Sequence, residues 1–308
     1  MISILLLVVG FVLLVWGADQ FVSGASAVAR KLGVPPLVIG LTIVAFGTSA
    51  PELAVSLTAA LKGANEIAVG NVLGSNIFNL LAVAGISAIL CPLAASKELT
   101  RRDWPISIIA AVLLGVFLLT GMRISRIEGL ILLACMAVLL YSQLKPALKD
   151  RSNVEKTDEH FKTWQIIFKI VFGLTAIVLG GDWSVDGATG LARMIGLSET
   201  VIGLTIVVAI GTSLPELVTS IMAARRGEND IALGNVIGSN LFNILFILGA
   251  STAINPITVQ FTSVLDTIFL ILISIIFLLP AWKGKISRNV GICMTACYIG
   301  YTAWLLIR

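Results

Sequence analysis

Apolar residues in this chain fall into blocks long enough to cross a bilayer, separated by short polar turns. Ten blocks can be drawn, at roughly 2–29, 36–61, 67–91, 104–121, 126–145, 164–193, 200–224, 230–254, 264–281 and 288–307. A helix needs about 20 apolar residues to span the hydrocarbon core. Membrane barrels would instead show alternating segments of about 10 residues. The pattern predicts an all-α membrane protein with ten transmembrane helices. The longest polar stretch, 146–162, divides the chain into halves of five spans each, 1–145 and 163–308. It is short enough to be a tether and carries the sole histidine, His160, which is assigned to solvent. The first block runs on into WGADQFVSGASAVARKLG without a clear cleavage site and reads as a retained helix.

The two halves repeat one another. Residues 47–79 read GTSAPELAVSLTAALKGANEIAVGNVLGSNIFN and residues 211–243 read GTSLPELVTSIMAARRGENDIALGNVIGSNLFN, with 21 of 33 paired positions identical. Segment 10–33 also aligns with 173–196, and VIGLTIV occurs at both 38–44 and 201–207. The register shift is 163 up to that point and 164 from Gly47 onward, so the second copy has one extra residue near Val207–Ala209. One inserted residue turns a helix by about 100°; a π-bulge there would keep the following motif aimed correctly. Five spans per half place the second copy upside down in the membrane, the design of two inverted five-helix repeats.

Composition supports the membrane reading. The chain of 308 residues is 57% hydrophobic and 12% charged, with mean hydropathy +1.01. The net charge of +4 lies largely in loop Lys and Arg, so it argues for topology rather than nucleic-acid binding. With the N-terminus outside, 16 of the 21 Lys and Arg residues fall on the cytoplasmic side. That imbalance predicts a multi-pass plasma-membrane protein with both termini outside and a cytoplasmic linker. The four cysteines sit in or beside apolar spans without a CxxC, and Cys293 and Cys297 read as packing residues. Trp16, Trp104, Trp164, Trp183, Trp282 and Trp304 mostly suit interfacial anchoring.

The candidate chemistry lies in the repeated motif. Glu52 and Glu216 each follow a proline inside a membrane span. A carboxylate there costs about 2.5–3.5 kcal/mol on insertion scales. Two such costs in matched positions point to one shared cation site. Pro51 and Pro215 lack an N–H and clash with the carbonyl four residues back, which frees carbonyls around Gly47–Thr48 and Gly211–Thr212. Thr48, Ser49, Thr212 and Ser213 add hydroxyls. Asn71, Ser75 and Asn79 recur every four residues and form one stripe, repeated by Asn235, Ser239 and Asn243. Gly70, Gly74, Gly234 and Gly238 allow close backbone approach. The donors are all oxygen, which favours hard ions over soft transition metals. Calcium takes six to eight oxygens at about 2.3–2.6 Å, sodium could share them, and magnesium gives up its waters reluctantly. Glu66 and Asp230 start helices, where a carboxylate suits the dipole. Asp19, Asp182 and Asp186 are expected to reach interfacial water.

These residues resemble the sodium/calcium exchanger membrane family of the Ca²⁺:cation antiporter superfamily, prokaryotic type. The doubled GTS-x-PE and GN-xx-GSN motifs carry the resemblance, which covers nearly the whole chain. It implies a core of the second, third, seventh and eighth spans, with long first and sixth helices sliding across it. It implies Ca²⁺ coordination by Glu52 and Glu216 with the backbone at Thr48 and Thr212. It also implies Na⁺ ligation by Ser49, Ser213, Ser75 and Ser239, with Asn79 and Asn243 flanking the centre. Relatives often carry Asp at the position of Asn243; both repeats here have Asn, which argues against potassium dependence.

The expected function is secondary active antiport of Na⁺ against Ca²⁺ by alternating access, with a single chain in the bilayer as the working unit. No cofactor is expected, and the ions are substrates. H⁺/Ca²⁺ exchange on the same scaffold is the alternative, and a cation channel a more distant one, because channels usually build their pore from several subunits. An enzyme is not expected, since no nucleophile–base pair or metal-hydrolase motif appears.

Overall fold

The computed structural model describes residues 2–63, 65–149, 161–194 and 211–307. Its helices are α1 (Ile2–Leu32), α2 (Pro36–Thr48), α3 (Ala50–Leu61), α4 (65–90), α5 (Leu99–Leu119), α6 (Arg126–Lys149), α7 (Thr163–Met194), α8 (Leu214–Arg225), α9 (Asn229–Ile254), α10 (Phe261–Ala281) and α11 (Arg288–Ile307). Seven of them are long and apolar enough to cross a membrane, or eight spans when α2 and α3 are taken as one bent pair. The helix α11, with 20 residues, stands where the last span was expected. Of the expected span 200–224, only the part from 211 is described, and the extra residue near Val207–Ala209 lies outside the described residues, as does His160.

The core is built from polar-lined helices wrapped by apolar ones. The helix α9 and the 67–90 stretch of α4 are far more enclosed than the outer spans. Around them, α1 and α7 run against each other along most of their length. Glycines seven residues apart make that approach possible. Gly10, Gly17 and Gly24 of α1 face Gly180, Gly173 and the backbone at Ile170 of α7. A methyl group added at Gly17 would lie 2.8 Å from the Gly173 carbonyl oxygen, so the two backbones are in contact. A seven-residue spacing keeps the seam on one side of both helices.

Four two-residue strands depart from the all-helical expectation. β1 (Leu93–Ala94) pairs antiparallel with β4 (Lys285–Ile286), and β2 (Arg123–Ile124) with β3 (Ile257–Thr258). Each ladder joins one half of the chain to the other. Their short length gives no pattern of alternation, so hydropathy could not reveal them.

Helix ends also moved. α5 begins at Leu99 through a π-helical turn, Leu99–Asp103, so the helix takes in Arg101 and Arg102 ahead of the expected 104–121 span. α6 continues through Pro146 to Lys149, so the first residues of the expected 146–162 tether are helical. Trp104 is not an interfacial anchor. It is buried and its indole N–H donates to the Ser274 carbonyl at 3.2 Å, whereas the other five tryptophans are exposed. All four cysteines are free.

Candidate ion-binding site

The proline motif breaks its helix where the sequence places it. α2 ends at Thr48, Ser49 takes φ −82° and ψ 12°, and α3 resumes at Ala50 with a bend of 52°. Ser213 has the matching geometry, φ −96° and ψ 7°, immediately before α8. Pro51 and Pro215 sit in the first turn of the resumed helices, where a missing N–H costs no helical bond. Glu52 and Glu216 follow in that same turn, near the positive end of the helix dipole.

Both glutamates are fully buried, and each is held by the opposite repeat. Ser49 Oγ donates to Glu216 Oε1 at 2.8 Å, and Ser213 Oγ donates to Glu52 Oε1 at 3.0 Å. Ser75 Oγ adds a longer bond to Glu52 Oε1, 3.4 Å. A second reciprocal set lies behind it. Thr48 Oγ1 donates to Asn235 Oδ1 at 3.0 Å, and Thr212 Oγ1 to Asn71 Oδ1 at 3.4 Å. The Asn71 amide nitrogen then holds the Glu52 carbonyl at 3.2 Å and Ser56 Oγ at 2.9 Å. The Asn235 nitrogen does the same for the Glu216 carbonyl, 3.3 Å, and Ser220 Oγ, 3.0 Å. The network therefore has a pseudo-two-fold axis, and each half completes the other.

Several buried polar side-chain atoms of the named residues have no hydrogen-bond partner among the described residues. They are Glu52 Oε2, Glu216 Oε2, Ser239 Oγ, Asn243 Oδ1 and both polar atoms of the Asn79 amide. In an apolar interior an unpaired polar atom is costly, so the oxygens among them, which can accept, suit a desolvated cation. No cluster of three or more His, Cys, Asp or Glu side chains exists among the described residues, so the only acids here are these two. Hydrogen bonds thus link seven of the ten residues named from the sequence, Thr48 and Thr212 through Asn235 and Asn71, while Ser239, Asn79 and Asn243 are buried and only Asn243 of these three is bonded, through its nitrogen to Asn76 Oδ1.

The helices that carry the flanking asparagines are locally widened. The π-helical turns Asn79–Val83 and Phe242–Leu248 occur in α4 and α9, and a third, Gly40–Val44, lies in α2. Sequence reading placed a bulge only in the second copy of the motif-bearing span. Widened turns leave no mark in hydropathy unless they shift a register. Gly234 and Gly238 do pack on backbone, against Leu37, Gly40 and Leu41, as expected. Around Gly70 and Gly74 nothing among the described residues lies within 4 Å of an added methyl, and the repeat partners of 37–41 fall in 195–210, outside the described residues.

Sequence reading gave no role to Asn76 and Asn240, which sit at the centre of the crossing of α4 and α9. Each donates its amide nitrogen to the other's main-chain carbonyl at 3.2 Å. Their signal is the GSN shared by both repeats, at 74–76 and 238–240.

A cavity of about 520 Å³ is lined by Pro51, Val55, Asp182, Asp186, Thr212 and Pro215 and neighbouring residues between α3, α7 and α8. The repeat-related surface is closed: Ala18, Val22, Thr48, Val218 and Thr219 are buried where α1 lies over α8. Asp182 and Asp186 are exposed, as expected for groups that reach water, but Asp19 is in an ion pair with Arg226 at 2.6 Å.

Comparison with known proteins finds a match to the family model described as sodium/calcium exchanger protein, over residues 2–145 and 166–307. The sodium/calcium exchanger MaX1 of Methanosarcina acetivorans is 36% identical over 97% of this chain and 97% of its own length. The inner membrane protein YrbG of Escherichia coli is 38% identical over 97% of this chain and 94% of its own. Among solved structures, the sodium-calcium exchanger NCX_Mj superposes with a TM-score of 0.87 at 32% identity, covering 99% of both chains.

Proposed function

This chain belongs to the sodium/calcium exchanger protein family, a family of antiporters rather than enzymes, and we propose that it exchanges Na⁺ for Ca²⁺ across the membrane. Cation/Ca²⁺ antiport by a multi-pass membrane protein is what the family and the relatives establish. The choice of sodium, the ligand assignment and the topology are the proposal. In it the chain has ten spans in two halves, 1–145 and 163–308, joined by a cytoplasmic linker at 146–162. Both termini lie outside, the unit is a monomer in a lipid bilayer, and Ca²⁺ and Na⁺ are the substrates.

The observation that carries this reading is the reciprocal pairing of Ser49 with Glu216 and Ser213 with Glu52, which leaves one oxygen of each buried carboxylate unpartnered. Two carboxylates match the charge of one Ca²⁺. With backbone oxygens at Thr48 and Thr212 they supply about six ligands, within the range calcium takes. The serine and threonine hydroxyls, with Ser75 and Ser239, suit Na⁺, and Asn79 and Asn243 flank both kinds of site. Because the oxygens are shared, Na⁺ and Ca²⁺ compete for them. An unloaded site leaves two acids together in low dielectric, which is unfavourable. A carrier that rearranges readily when loaded and reluctantly when empty is an exchanger. In this reading the cavity between α3, α7 and α8, lined by Pro51, Thr212 and Pro215 beside the buried glutamates, is where ions approach from one face, and alternating access opens the other face in turn.

Radiolabelled Ca²⁺ uptake into proteoliposomes tests the coupling, with sodium, potassium and pH gradients imposed one at a time. The expected result is uptake driven by a sodium gradient alone. Uptake that follows a pH gradient with no sodium present would replace this reading by H⁺/Ca²⁺ exchange, and unitary currents would replace it by a channel.

A further inference from the structure

Asn76 and Asn240 lie at the pseudo-two-fold axis, and their hydrogen bonds have only one consistent orientation. A main-chain carbonyl can only accept, so the Asn240 carbonyl fixes the Asn76 nitrogen toward itself, at 3.2 Å. Asn76 Oδ1 must then face the other way. There it accepts from Asn243 Nδ2 at 2.9 Å. That bond occupies the Asn243 nitrogen and leaves Asn243 Oδ1 buried and unpartnered. We infer that Asn76 is a positioning residue, which turns the Asn243 amide so that oxygen rather than N–H is offered to the transported cation. The inference rests on reading Asn243 as a neighbour of the ion. The related relay on the other side is not made: Asn240 Oδ1 and both polar atoms of Asn79 have no partner among the described residues. The two flanking amides are therefore held differently, one oriented and one not.

The test is Ca²⁺ binding to the full-length protein in lipid nanodiscs, in two backgrounds. Asn76→Ala lowers Ca²⁺ affinity about fivefold, the equivalent of one net hydrogen bond. In an Asn243→Asp background the same change leaves affinity unchanged or improved, because both carboxylate oxygens are acceptors and need no orienting. Equal losses in both backgrounds would show a merely structural role and overturn the inference, and so would no loss in the first. Asn76→Thr, whose hydroxyl imposes no direction, gives the same comparison if the alanine variant is not recovered. Wild-type protein that binds no Ca²⁺ would overturn the proposed function itself, and this role with it.

Asp19 and Asp182 occupy matched positions of the two repeats, as do Arg226 and Lys62. Only one of the two possible acid–base pairs is made. Arg226 donates through Nε to Asp19 Oδ1 at 2.8 Å and its terminal nitrogen lies 2.6 Å from the same oxygen. That pair ties α1 to the end of α8 on the closed face. On the open face Asp182 lines the cavity, and among the described residues neither it nor Lys62 has an ion-pair partner. We propose that the two pairs are alternating latches, with Asp182 meeting Lys62 when α7 closes over α3 and Asp19 released from Arg226 at the same time. A half-exposed pair contributes at most about 1 kcal/mol. That biases a two-state carrier without locking it.

Disulfide trapping tests this, in full-length protein with the four native cysteines replaced by serine. Asp19→Cys with Arg226→Cys is expected to cross-link readily. Lys62→Cys with Asp182→Cys is expected to cross-link more slowly, to stop transport, and to release it on reduction. The bond is read by gel mobility, independently of which ion is carried. Failure of the 62/182 pair to cross-link in a protein that still transports would overturn the proposal.

Discussion

Ser49 of the first repeat donates its hydroxyl proton to Glu216 of the second, 2.8 Å away, and the relationship is returned by Ser213 and Glu52 at 3.0 Å. Each acid is therefore held by a helix break it does not belong to. A relative shift of the two halves must disturb both bonds at once, which ties the state of the site to the arrangement of the repeats.

Replacing either acid by its amide should remove transport. Glu52→Gln and Glu216→Gln each leave one carboxylate for a divalent ion and put N–H donors beside it. Ca²⁺ uptake driven by a sodium gradient is expected to fall to background in both variants. Normal uptake in either would remove that residue from the site.

Ser49→Ala and Ser213→Ala should have closely similar effects, because they break symmetry-related bonds. A hydrogen bond to a charged group contributes about 1.5–3 kcal/mol, so each variant should weaken Ca²⁺ binding by at least about tenfold. Equilibrium binding in detergent measures both. A silent variant beside an impaired one would mean that the two acids are not equivalent in solution.

Asn71→Ala and Asn235→Ala should act chiefly on stability. Each amide satisfies a glutamate carbonyl and a serine hydroxyl, all buried. Leaving such groups unsatisfied costs about 1–3 kcal/mol. A thermal shift assay without Ca²⁺ should show a lower midpoint, and excess Ca²⁺ should recover part of it by mass action.

Gly17→Leu should separate α1 from α7, since even a methyl group at that position would lie within 2.9 Å of Gly173, Ala176 and Ile177. Overpacking of this kind costs about 1–3 kcal/mol or more. Loss of folded protein, or a lower thermal midpoint, is expected. The same change at Gly300, where nothing among the described residues lies within 4 Å, should be tolerated.

Much of this was legible in the sequence because the relevant signals are local or doubled. Apolar length located the helices, and Pro51 and Pro215 located the breaks. The repeat multiplied the weight of each polar residue, so Glu52, Glu216 and the serines, threonines and asparagines around them could be named together. Other features depend on what lies across the fold. Trp104 reads like any interfacial tryptophan until α10 brings the Ser274 carbonyl to its indole. Asn76 and Asn240 carry no role in the sequence until α4 and α9 cross. The four short strands exist only because distant loops meet.

By itself, the sequence determined that two like halves must face each other and contribute matched acids to one buried place, since carboxylates in apolar spans have few other fates. It could not determine which end of that place is open. Asp19 and Asp182, or Thr48 and Thr212, are chemically the same in both repeats, so nothing in their local residues distinguishes the faces. The difference arises from packing: α1 lies tightly over α8 while α7 stands away from α3, and a pair of helices joined along a glycine seam cannot close over both sides at once.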